Sequence, residues 1–210
     1  MSAVPAMAPL SSASLSSVCV FCGSMSGVRP SYVAAARELG QALAQRHIEL
    51  VYGGGHVGLM GELADAALRA GGRVVGIIPQ HLMRPEIAHQ NLTELLVVDS
   101  MHTRKRQMAE RSSAFIVLPG GYGTLEEMFE MVTWLQLQLH AKPIGALNVE
   151  GFFEPLRALL QHTAREGFIR PQHGDLLFLQ SSVTALLDEL PVQLSAMRRA
   201  HPATGSIAQG

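Results

Sequence analysis

Ala114-Phe115-Ile116-Val117-Leu118-Pro119-Gly120-Gly121-Tyr122-Gly123-Thr124-Leu125-Glu126-Glu127 is the stretch that decides how this chain folds. Ala114 to Leu118 is an unbroken apolar run and reads as a buried strand. Met128-Phe129-Glu130-Met131-Val132 follows and reads as a helix. A strand that turns through glycines into a helix N-terminus builds an anion site, because the first backbone N–H groups have no intrahelical acceptor and the helix dipole adds positive charge. Glycine removes the Cβ that would keep a phosphate away from the backbone. The carboxylates Glu126 and Glu127 are out of place beside a phosphate and need a separate reason.

Outward from that stretch the pattern is strand then helix, repeated. Strands are predicted at Val18–Gly23, Ile48–Tyr52, Arg73–Ile78, Leu92–Val98 and Pro143–Asn148. Helices are predicted at Ser31–Arg46, Leu59–Ala70, His102–Ser112, Phe153–Glu166 and Val183–Leu190. Nearly continuous apolar strands alternating with helices predict an α/β fold: a Rossmann-like, doubly wound parallel sheet with helices on both faces, in a single domain. Ligands of such a sheet sit outside the carboxyl ends of its strands. Both glycine clusters, Gly53-Gly54-Gly55 and Gly120-Gly121-Tyr122-Gly123, fall there.

The 210 residues fit one domain, expected over 18–195, with residues 1–17 as a disordered leader and 196–210 as a flexible tail. A formal net charge of −1 argues against nucleic acid as a partner. No apolar run reaches the ~20 residues of a membrane helix, and the Ser- and Ala-rich start lacks the basic residues of a targeting signal. A cytoplasmic location is therefore expected. Cys19 and Cys22 form a CxxC on a strand, where i and i+3 point to opposite faces. With no second CxxC they read as buried thiols rather than a zinc site. The nine histidines show no metal spacing and read mostly as surface residues; no metal and no cofactor are expected.

Three local patterns narrow the chemistry. Gly53-Gly54-Gly55-His56-Val57-Gly58 fits GxGxxG, yet the next strand ends Ile77-Ile78-Pro79-Gln80 without the acidic residue that a dinucleotide ribose needs. The cluster suits phosphate contact or close backbone approach, not NAD or FAD. No Gly-Lys dipeptide exists, which excludes a P-loop. Thr124-Leu125-Glu126-Glu127 matches a capping box, in which Glu127 would reach back to the Thr124 N–H. The glycines and proline upstream favour a ligand site instead. Glu126 and Glu127 lie about 100° apart on a helix, so one faces the site and the other does not. On the preceding helix Met101, Arg104, Lys105 and Met108 share a stripe, and two cations between methionines are unusual on a core-facing surface.

Met101-His102-Thr103-Arg104-Lys105 followed by Pro119-Gly120-Gly121-Tyr122-Gly123-Thr124-Leu125-Glu126-Glu127 resembles the LOG (LONELY GUY) family, often labelled "lysine decarboxylase". Val18 to Ser24, Tyr52 to Gly55, Gly58 to Gly61 and Thr133-Trp134-x-Gln136-Leu137 resemble it too, so the likeness runs from about Val18 to Arg170. The resemblance implies a Rossmann-like homodimer that hydrolyses the N-glycosidic bond of cytokinin riboside 5′-monophosphates or AMP, giving free base and ribose 5-phosphate. By position it implies Arg104 and Glu127 as the catalytic pair. It implies Glu86, Lys105, Gly120, Gly121, Tyr122, Gly123, Thr124, Leu125, Glu126 and Thr133 as substrate contacts. Ser24, Gly53, Gly54 and Gly55 are the candidates for phosphate or close backbone approach. Two positions depart from the family pattern: Gln138 stands where Gly is usual, and Ser113 where Asp is usual. The decarboxylase label fits poorly, since a pyridoxal enzyme needs a Schiff-base lysine and the chain has only Lys105 and Lys142. A non-catalytic nucleotide carrier on the same scaffold is the alternative, and it would have no use for Glu127.

Overall fold

Alternating side chains on an apolar strand can be buried on both faces only if helices cover both, and the chain is built that way. A computed structural model describes residues 15–84 and 87–200. Among the described residues, β1 (Ser17–Phe21), β2 (Glu49–Tyr52), β3 (Val74–Pro79), β4 (Glu94–Val98), β5 (Ala114–Val117), β6 (Ile144–Leu147) and β7 (Leu177–Gln180) form one sheet in the order β4-β3-β2-β1-β5-β6-β7. Every strand pair is parallel. The helices are α1 (Pro30–Gln45), α2 (Gly58–Arg69), α3 (Met101–Arg111), α4 (Tyr122–Gln136), α5 (Glu154–Arg165) and α6 (Val183–Ala200).

The two faces carry separate cores. Val18, Val20 and Cys22 turn toward Leu39 and Leu43 of α1, Leu59 and Leu63 of α2, and Leu186 and Leu190 of α6. Cys19 and Phe21 turn the other way, toward Met108 of α3, Met128 and Met131 of α4, and Phe153. The two cysteines are thus free, buried and on opposite faces, as strand alternation requires. Burial pushes both thiols well above their ordinary range.

Most predicted elements begin and end within a residue or two of those observed. Four differences have a physical reason. Ser17 already pairs with Glu49, and Leu15 is buried, so the ordered domain starts inside the expected leader; a Ser-rich composition conceals strand pairing that is made by the backbone. β7 (Leu177–Gln180) is absent from the sequence reading, although Leu176 to Leu179 is an apolar run; it is a half-buried edge strand of four residues. The last helix does not stop at Leu190 but continues through Pro191 to Ala200, into the expected tail. Leu190 and Leu194 stay buried against the core, which outweighs the amide that Pro191 lacks. Finally, β4 begins at Glu94 rather than Leu92, since the Thr93 hydroxyl accepts from the Val74 N–H and ends the ladder there.

His89 and His140 are buried rather than on the surface. His140 lies against Met131 O (Nε2 at 3.0 Å), and its Nδ1 accepts from the Lys142 N–H at 3.2 Å. This fixes the neutral ring, with the proton on Nε2. Burial lowers its pKa from 6.5 to about 4. Between those values the unfolded chain holds a proton that the folded chain does not, so stability falls as pH drops from about 6.5 toward 4. The gap is worth on the order of 3 kcal/mol. Urea unfolding at pH 7 and pH 4.5 should show that loss, and His140→Gln should shrink it by about 2 kcal/mol.

Candidate active site

β5 returns to the centre of the sheet beside β1, and there the two connections diverge. The Gly23 N–H donates to Pro119 O at 3.0 Å and the Leu118 N–H to Phe21 O at 2.9 Å. Beyond these bonds one chain leaves toward α1 and the other toward α4. A crevice of about 210 Å³ opens between them, lined by Ser24, Tyr32, Gly120, Gly121 and Phe152 among others.

α4 starts at Tyr122 with Gly121 at its N-cap and no side chain over its first amides. The Leu125 N–H closes the first turn on Gly121 O at 3.0 Å. The N–H groups of Tyr122, Gly123 and Thr124 therefore lie ahead of the helix's own hydrogen bonding. A Cβ on Gly121 or Gly123 would meet nothing within 4 Å, so the approach to these amides is open. Thr124 is buried and packs over Gly120. The capping box is not formed: the glycines let the helix begin two residues before Thr124, and Glu127 is engaged elsewhere.

Glu127 is held by Arg104, with Nη1 and Oε1 3.0 Å apart and only 11% and 10% of the two side chains exposed. Ser100 starts α3 by accepting from the Thr103 N–H at 3.1 Å, which aims the first turn, and Arg104 with it, at the carboxyl end of the sheet. Arg104 Nε donates to Ile77 O of β3 at 3.1 Å. Its Nη2 rests on the bare Cα of Gly53, where any Cβ would collide with it. Burial raises the Glu127 carboxyl above the usual range, and Arg104 opposes that shift.

Lys105 forms a second cluster. Its Nζ lies 2.6 Å from Glu126 Oε1 and 3.0 Å from Glu130 Oε2. Burial would lower the ammonium pKa, but the hydrogen bonds and charges of Glu126 and Glu130 carry it upward instead. Glu126 and Glu127 thus part as their angle requires, one to Lys105 and one to Arg104. Glu130 is a site residue that the sequence reading missed. Its signal was available in the i,i+4 spacing from Glu126, which puts both acids on one face of α4.

Tyr122 is fully exposed beside the open amides, while Leu125 packs into the core under α4. Thr133 bonds back to Phe129 O at 2.7 Å on an exposed face, six residues past Glu127 and so about 9 Å farther along the helix; one chain does not bring it to the Arg104–Glu127 pair. Ser24 lies beside Gly58 at the start of α2. Glu86 falls outside the described residues. Among the described residues no group of three or more His, Cys, Asp or Glu could hold a metal ion, and no helix is long and apolar enough to cross a membrane.

A family model described as "Possible lysine decarboxylase" matches residues 60–190. A "Probable cytokinin riboside 5'-monophosphate phosphoribohydrolase" of Oryza sativa subsp. japonica is 50% identical over 173 residues, 82% of this chain and 76% of the relative. A cytokinin riboside 5'-monophosphate phosphoribohydrolase of Arabidopsis thaliana is 47% identical over 173 residues, 82% of this chain and 81% of the relative. Among solved structures, the Moco carrier protein of Chlamydomonas reinhardtii has the same fold, with a TM-score of 0.65 at 20% identity, covering 87% of this chain and 99% of that one. The molybdenum cofactor binding protein of Rippkaea orientalis is similar, with a TM-score of 0.63 at 19% identity, covering 86% and 98%. At that identity the likeness is one of fold alone.

Proposed function

Because this chain belongs to the family of the cytokinin riboside 5′-monophosphate phosphoribohydrolases, we propose that it hydrolyses the N-glycosidic bond of cytokinin riboside 5′-monophosphates and AMP, releasing free base and ribose 5-phosphate. The observation that carries this reading is Glu127, buried against Arg104 about one turn below a helix N-terminus whose amides are open. A phosphate needs the amides; a carboxylate has no use there unless positive charge develops nearby.

The glycosidic bond breaks through an oxocarbenium-like transition state, with positive charge growing at C1′ of the ribose. The amides of Tyr122, Gly123 and Thr124 hold the 5′-phosphate, which converts binding energy into position. Glu127 faces C1′, stabilises the growing charge and accepts the proton of the attacking water, while the departing base nitrogen takes up a proton from solvent, to which Glu127 returns its own. Burial makes it a stronger base, and the charge of Arg104 opposes that rise. Lys105, held by Glu126 and Glu130, adds a cation on the substrate side of α3.

Decarboxylation of the pyridoxal type does not fit these residues. It needs a lysine free to form a Schiff base. Lys105 is held by two carboxylates, and Lys142 Nζ donates to Ala109 O at the end of α3. The enzyme works as a cytoplasmic homodimer. α4 presents Phe129 and Leu137 on the same exposed face as Thr133, and a groove of about 470 Å³ beside it is lined by Val132, Leu156, Leu160 and Leu177. Thr133 therefore lies in the interface between copies. Two unpaired thiols suit a reducing compartment.

Glu127→Gln should lower base release from AMP and isopentenyl-adenosine monophosphate by on the order of 10²–10⁴-fold, with nucleotide affinity retained. Full activity in that variant would overturn the assignment, and nucleotide binding without base release by the unmutated chain would establish a carrier instead. In the unmutated enzyme the acid limb of kcat should lie above the ordinary glutamate value of 4.5, in the direction in which burial moves Glu127. Gly53→Ala should reduce kcat strongly and lower the unfolding temperature as well, because its Cβ displaces the Arg104 guanidinium from the buried carboxylate it pairs with.

A further inference from the structure

We propose that His89 is a positioning residue for Arg104, acting through the glycine loop on which the guanidinium rests. The inference rests on the hydrolytic reading of the Arg104–Glu127 pair.

Besides Glu127 and Met101 Sδ of its own helix, Arg104 is anchored on two other elements: the carbonyl of Ile77 and the bare Cα of Gly53. The first belongs to β3 and is fixed by the sheet. The second belongs to a loop, residues 53–57 between β2 and α2, and needs a support of its own. Residues 87–91 supply it. The His56 N–H donates to Ile87 O at 2.8 Å, and the His89 N–H donates to Gly54 O at 2.9 Å. Gly55 and Ala88 pair between these bonds as an isolated antiparallel bridge. Gly54 sits at φ +75°, a backbone conformation that the loop must be held in rather than one it shares with a strand.

The strap in turn is fastened by the His89 side chain, which is 6% exposed. Its Nδ1 accepts from the Asn91 N–H at 3.2 Å, so the proton is on Nε2, and Nε2 donates to Asp65 Oδ1 of α2 at 3.1 Å. One ring thereby turns the strap at Asn91 and ties it to α2. Through α2 it reaches the far end of the same loop, where Met60 packs on Gly55 and Gly53. The chain of contacts runs from Asp65 to His89, to Gly54, to Gly53, and ends at Arg104. A filler residue would need no polar atoms at this depth; both ring nitrogens here are used.

The test compares unmutated enzyme, His89→Ala, His89→Gln, His89→Asn and Asp65→Ala for kcat and KM with AMP, unfolding temperature, and hydrogen exchange of the peptide spanning 53–56. Gln places an N–H where Nε2 was, and Asn an acceptor where Nδ1 was. The expected result is a fall in kcat of on the order of 10-fold to 100-fold for His89→Ala with KM moved far less, faster exchange at 53–56, and substantial recovery of kcat in His89→Gln. Asp65→Ala changes a half-exposed side chain, should lower kcat in the same direction, and carries the test if His89→Ala does not fold. A His89→Ala enzyme that folds and keeps kcat within about twofold would overturn the proposal, since misplacement of a catalytic group costs more than that. So would kcat losses that follow unfolding temperature across all four variants without recovery in Gln. An unmutated chain that releases no ribose 5-phosphate would overturn the functional reading and this inference together, whereas an active chain indifferent to His89 overturns this inference alone.

Discussion

The pairing of β5 with β1 is the constraint on which the rest of the molecule depends. Parallel neighbours require crossovers, and once β2, β3 and β4 have been laid on one side of β1 the chain extends the sheet by returning to the other side. At that return the connections after β1 and β5 must leave toward opposite faces, and no strand covers the gap between them. The last hydrogen bonds before the split, from Gly23 and Leu118, place the glycine turn and the start of α4 at the mouth of the gap. The open amides of Tyr122 to Thr124 are a product of topology before they are a product of selection for a ligand.

Into this dry corner the sequence places charge. Burying a carboxylate is costly unless it is paired and hydrogen-bonded. Arg104 meets that demand for Glu127, while its Nε donates to Ile77 O, its Nη1 lies 3.8 Å from Met101 Sδ, and its Nη2 packs against Gly53. Arginine suits the role better than lysine, because its planar fork serves several acceptors at once and stays charged. Lys105, a single point charge, is satisfied by Glu126 and Glu130 on one helical face. Counted together, the cluster has one more carboxylate than cation before any phosphate arrives. The phosphate must therefore be balanced by backbone dipoles rather than by side chains, which is why glycines and an uncapped helix stand where basic residues might be sought.

The fold was legible because its strands are buried on both faces and announce themselves as apolar runs, with glycines at their carboxyl ends. What was illegible is short, half-exposed or tertiary. β7 is a short edge strand that the reading passed over despite its apolar run, and Pro191 reads as a stop although core contacts on either side of it hold the helix together. In the site, the stripe of Arg104 and Lys105 and the glycine turn could be read from spacing. The partnership of Arg104 with Glu127 came from family resemblance, and the geometry brings the two into contact. Glu130 looked like an ordinary helical acid. His89 and His140 looked like surface residues, since nothing in a sequence says that a histidine has a backbone N–H two positions later for one nitrogen and a distant acceptor for the other.

The two lysines have a consequence of a different kind. Fourteen arginines against two lysines leave the folded surface almost without primary amines. Lys105 is clamped in its acidic cluster, and Lys142 is drawn inward to a helix carbonyl. An acylating reagent, an amine cross-linker or an enzyme that tags lysines thus finds few nucleophiles on this protein apart from its α-amino group. One of the two it does find stands on the helix turn that holds Arg104. Lysine labelling of the native chain, read apart from the α-amino group, therefore has only Lys142 to set against a report from the site itself.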